Sequence, residues 1–74
     1  MELIELNQQS DIETIEKSID QMVWYRDQKT QVMNVSYTRG ENSYTYIIEF
    51  RNGQTLEVEK SLAEYERYQL IKYI

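Results

Sequence analysis

Apolar and polar positions change period along this chain, and the changes mark its elements. Ile12, Ile15, Ile19, Met22 and Val23 recur at helical spacing. Ser10, with Glu13 three residues later, is the capping-box pattern, in which each side chain satisfies an orphan backbone N–H of the other residue. Together they predict a helix at about 11–25. The period then falls to two. Met33, Val35 and Tyr37 alternate with Asn34, Ser36 and Thr38; Tyr44, Tyr46, Ile48 and Phe50 follow in the same way, and then Leu56 and Val58. Three half-buried strands rich in β-branched and aromatic residues predict an antiparallel meander. A second capping pattern, Ser61 with Glu64, opens a helix from Leu62 to about Tyr73. Residues 1–9 read as an edge strand or extended arm.

Turn chemistry sets the expected registers. A two-residue loop at Gly40-Glu41 sets Tyr37 opposite Tyr44, Val35 opposite Tyr46 and Met33 opposite Ile48. At the next turn, a two-residue Asn52-Gly53 loop would put Ile48 opposite Glu57 and mix the faces. A three-residue loop, Arg51-Asn52-Gly53 with a left-handed glycine, instead pairs Ile48 with Leu56 and Tyr46 with Val58. The expected fold is α+β in the order (β)αβββα: a three-stranded meander with two helices packed on its one apolar face. Residues 1–74 read as a single domain. The last helix is apolar all round, since Tyr68 and Ile71 lie opposite Leu62 and Tyr65. That predicts self-association, a homodimer formed through Tyr68, Ile71 and Ile74. The rival reading makes 69–74 extended.

Composition narrows the chemistry. The 74 residues contain no His and no Cys, the side chains through which most nucleophilic, redox and transition-metal chemistry runs near neutral pH. The expectation is a protein that binds, with no catalytic residues, no cofactor and no metal. Nothing suggests a transmembrane span or a secretory leader, and a cysteine-free chain gains nothing from an oxidising compartment, so the expected location is cytoplasmic. Net charge is −5. Residues 1–31 hold most of it, with seven acids against Lys17, Arg26 and Lys29. Such a balance disfavours direct binding to nucleic acid phosphates and favours a protein partner with a basic surface.

One constellation stands out. On the wheel of the expected helix, Trp24 lies away from the isoleucines, beside Glu13, Lys17 and Asp20, with Glu16 at the edge of the group and Asp27 just beyond. An indole among carboxylates on an outward face has the character of a binding hot spot. The competing reading ends the helix earlier and tucks the indole under the sheet edge. The seven tyrosines read as core or interface residues, because base stacking would need a basic groove. Glu49, Glu57 and Glu59 read as a solvated face. The chain is therefore expected to be a small acidic protein–protein interaction module. The alternative is an inhibitor that mimics nucleic acid charge and blocks a DNA- or RNA-binding protein, using Glu13, Glu16, Asp20, Trp24 and Asp27 with Glu2 and Glu5. The small, acidic, Tyr- and Ile-rich make-up is similar in style to accessory proteins of phages and mobile elements, although no motif transfers a role to any residue.

Overall fold

In the computed structural model, residues 3–72 are described; the expectations placed on Glu2, Tyr73 and Ile74 lie outside them. The elements are β1 (Ile4–Glu5), α1 (Ile12–Lys17), β2 (Met22–Tyr25), β3 (Gln28–Arg39), β4 (Ser43–Phe50), β5 (Thr55–Ser61) and α2 (Leu62–Lys72). All five strands join one mixed sheet in the order β1-β2-β3-β4-β5, with β1 and β2 parallel and the rest antiparallel. The class is α+β. The expected meander is its β3–β4–β5 part.

The first helix is shorter than its period suggests. Asp11, not Ser10, caps it, accepting the Thr14 N–H at 2.8 Å. Ser10 instead accepts the Asn7 N–H in the preceding loop. The helix ends where Ser18 donates its hydroxyl back to the Ile15 carbonyl at 2.6 Å and Asp20 turns the chain with φ 66°. Met22–Tyr25 then runs as a strand, a conformation favoured by the β-branched and aromatic run Val23-Trp24-Tyr25. Val23 and Tyr25 enter the core while Met22 and Trp24 face out. Arg26 and Asp27, both at positive φ, make a tight turn of the primed type and send the chain back along β3.

A long β3 serves two partners. Residues 28–31 pair with β2, and 32–39 pair with β4. Near the start of the second pairing a bulge at Val32/Asn34 inserts Met33 as an extra residue. Inward-facing positions thus pass from Thr30 and Val32 to Val35, and Met33, expected on the apolar face, is half exposed. The β3–β4 register also differs from expectation, with Tyr37 opposite Tyr46 and Val35 opposite Ile48. The reason is local. Gly40 bonds Ser43, which moves the turn one residue on to Glu41-Asn42, and the Leu62 N–H holds it there by donating to the Asn42 carbonyl. The slip is two residues, so the faces survive it. At the β4–β5 turn the register is the expected one: Ile48 faces Leu56, Tyr46 faces Val58, and Gly53 sits at φ 90°.

The core is Leu6, Ile12, Ile15, Val23, Tyr25, Val32, Tyr44, Tyr46, Ile48, Phe50, Leu56 and Val58. The sheet rolls around it. Strands β2 and β5 stand three places apart, about 14 Å in a flat sheet. Yet the Tyr25 ring stacks on Phe50 with centroids 4.5 Å apart, and its hydroxyl reaches the Thr55 carbonyl at 3.3 Å. Helix α2, capped by Ser61 through the Glu64 N–H, runs as a helix to Lys72 and lays Leu62, Tyr65 and Tyr68 against this core.

Candidate functional site

Because β2 alternates, its two outward side chains are both large and apolar. Met22 and Trp24 are each 42% exposed, and they sit two residues apart on the solvent face of the sheet. Strand registers decide their surroundings. Glu5 of β1 runs level with Trp24; on the other side Lys29 of β3 stands opposite Trp24, and Gln31 opposite Met22. Residues directly opposite in an antiparallel pair have Cβ atoms about 4.5–5.5 Å apart, so Lys29 and Gln31 border the apolar pair closely. The backbone beneath is fixed on both sides by neighbouring strands. Trp24 is thus neither on a helix nor tucked under an edge. The sequence puts Met22 with Ile19 on the apolar face of the expected helix, but Ile19 lies beyond the end of α1 and both are exposed. Lys29 has no role in that reading, and the alternation of Met22 and Trp24 with Val23 and Tyr25 is the signal for the outward face.

The acidic stripe does not form. It needed a helix continuous to Trp24, and α1 stops at Lys17. Glu13 is bound to Lys17 at 2.6 Å. Glu16 points toward α2, accepts the Tyr68 hydroxyl at 2.8 Å and lies 3.7 Å from the Lys72 ammonium. Asp20 and Asp27 hold left-handed turn positions at either end of β2. Of the expected partner-binding set, only the two turn aspartates stay near Trp24 along the chain. Among the residues assigned to self-association, Tyr68 is half-buried against α1, and Ile71 is 64% exposed.

Six of the tyrosines are described, and five gather on or under the helices. Tyr65 stacks on Tyr44 with centroids 3.7 Å apart, and Tyr37 leans on Tyr44 and Tyr46 at 5.7 and 6.1 Å. The Tyr46 hydroxyl is buried and has no hydrogen-bond partner among the described residues; burial first, then the Glu16 charge, pushes its pKa well above that of an ordinary phenol. Tyr68 is pushed up to about 12, first by its hydrogen bond to Glu16 and then by burial. These phenols hold their protons more tightly than free tyrosine, which suits a packed cluster.

The remaining carboxylates are dispersed. Glu49 stands across from Thr55, Glu57 from Ile47 and Glu59 from Thr45, on the solvent face of β4 and β5. Among the described residues there is no group of three or more metal-ligating side chains, and no helix is long and apolar enough to cross a membrane. A shallow polar cleft of about 700 Å³ lies where the β1 arm approaches the start of β5, lined in part by Glu5, Gln8, Asp27 and Glu57. Comparison with protein-family models, curated proteins and solved structures gave no match for the chain.

Proposed function

We propose that this protein is a small cytoplasmic protein–protein interaction module whose partner seats on the outward face of β2. One observation carries the reading: Met22 and Trp24, both 42% exposed, are presented side by side by a strand that is hydrogen-bonded on both edges. Nothing in the packing of the core calls for a large apolar residue at either place, since Val23 and Tyr25 fill the inward positions. Tryptophan is the residue most enriched among interface anchors, and a rigid platform lowers the entropy lost on docking. The expected partner offers an apolar pocket with a basic rim to meet Glu5, Asp20 and Asp27, beside a group that tolerates Lys29. The absence of His and Cys, and pKa shifts that among the described residues fall on a helix cap, one exposed lysine pair and packed tyrosines, support binding over catalysis.

The test is a paired capture from host lysate with the wild-type chain and Trp24→Ala, washed at low and high salt and quantified by mass spectrometry. A protein retained by the wild type through the high-salt wash and lost with Trp24→Ala supports the module. Identical sets for both chains end it. Partners released by moderate salt irrespective of Trp24 would instead favour a mimic of nucleic acid charge, because attraction between exposed charges is screened.

A further inference from the structure

Among the described residues the sheet has three stretches of free edge, and they differ in how well they are guarded. Strand β1 is two residues long. The outer edge of β5 carries Glu57 and Glu59, so either self-pairing that uses the whole strand sets glutamate against glutamate. The third stretch is the far half of β3. The segment Asp20–Gln21 bonds Val32 in both directions and then departs, which leaves β3 unpaired on that side from Met33 to Arg39 among the described residues.

Hydrogen-bond parity shows what this edge displays. Gly40 bonds Ser43, so Thr38, Ser36 and Asn34 turn their backbone groups to β4. Val35, Tyr37 and Arg39 turn theirs outward. Tyr37 is 59% exposed. The segment 33–39 holds no acid, and its only charge is Arg39, in a chain of net charge −5. An edge of this length, with apolar side chains, no acid, no proline and Arg39 as its one charge, is a template for another strand.

We infer that this edge pairs with the same edge of a second copy, joining two sheets into one across a two-fold axis at Tyr37. Parity requires the outward residues Val35, Tyr37 and Arg39 to face one another. Centring on Ser36 would drive the Gly40 turn of the second copy into the place Gln21 occupies beside Val32. Centring on Tyr37 clears it and forms about six backbone hydrogen bonds. Tyr37 then meets Tyr37, Val35 meets Arg39, and Ser36 meets Thr38 on the opposite face. No like charges stand opposite each other. The two Arg39 residues lie about 14 Å apart, beyond the screening length of roughly 8 Å. A second copy suits this edge because a two-fold contact supplies the same unguarded surface from both sides. A domain this small without disulfides also gains stability from association.

The test combines mass and exchange. Sedimentation from micromolar to millimolar concentration should show a monomer passing to a dimer. Over the same range, amide exchange at Val35, Tyr37 and Arg39 should slow, while Glu57 and Glu59 on the β5 edge should not change. Tyr37→Lys sets two ammonium groups opposite each other and should weaken the dimer at least about tenfold, with the monomer still folded although its ring contacts with Tyr44 and Tyr46 are lost. Tyr37→Phe should retain it. A monomer at millimolar concentration, or a dimer that leaves the three amides unprotected or ignores Tyr37→Lys, overturns the pairing. Trp24→Ala should leave the dimer intact, so this inference and the β2 docking face fail independently.

Discussion

Glu16 shows how a single residue can change its part once the chain is folded. On a helical wheel it borders a solvent-facing stripe, yet in the fold it is the anchor point of α2, accepting from Tyr68 and lying beside Lys72. Tyr68→Phe removes the donor while keeping the ring, and should lower stability by about 1 kcal/mol in urea denaturation, the usual net worth of a hydrogen bond. Unchanged stability would mean that the ring alone holds α2. Trp24 makes the opposite case. Its half-exposed indole predicts that Trp24→Ala lowers stability by no more than about 1 kcal/mol, whereas truncating a buried aromatic costs roughly 3–5 kcal/mol. A loss in the larger range would move Trp24 into the core and remove the anchor from the proposed interface.

At the scale of elements, the turn at Arg26-Asp27 decides the architecture of the N-terminal half. Both residues adopt positive φ, which aspartate tolerates and arginine resists. Arg26→Asn with Asp27→Gly gives the preferred sequence for this turn and should stabilise the chain by about 1 kcal/mol, measured by the denaturation midpoint. No gain would mean that the Arg26 guanidinium over the Tyr25 ring, 5.4 Å from its centroid, offsets the backbone strain. The same pair of residues explains why the β2–β3 hairpin was not legible. Arg-Asp is no turn signature, and Ile12 to Val23 happens to keep helical spacing through the turn that follows α1. The β4–β5 hairpin was legible because Asn52-Gly53 states its own geometry and the alternation of Ile48 and Leu56 admits one register. Between these cases lies the β3–β4 turn, where Gly40 marked the place but the Leu62 N–H on Asn42 chose the register.

For the whole molecule, the buried tyrosines set the pH response. The Tyr68 phenol titrates near 10.0 when free and at about 12 in the fold, and Tyr46 is shifted in the same direction by its burial. A pKa raised by folding contributes stability in full below the unfolded value and loses it as the pH rises toward the folded one. Urea midpoints should therefore hold steady to about pH 9 and fall between pH 10 and 12. The phenolate absorbance of Tyr46 should appear only as the chain unfolds. A midpoint flat to pH 12 would leave the cluster without a stabilising part.

What the sequence determined by itself is whatever a few neighbouring residues settle alone: the alternation of β3, β4 and β5, the Gly53 turn, the Ser61 cap and the exclusion of His and Cys chemistry. The tertiary structure decided the end of α1, the strand at Met22–Tyr25, its parallel partner β1 and the bulge at Met33. With them it decided the placement of Trp24 on an outward sheet face and of Tyr37 on an open edge. The physical reason is a difference of scale. Helix propensities separate ordinary residues by less than about 0.7 kcal/mol each, whereas burying Val23 or Tyr25 contributes about 1.5–3 kcal/mol, and that gain exists only when distant strands arrive to cover them.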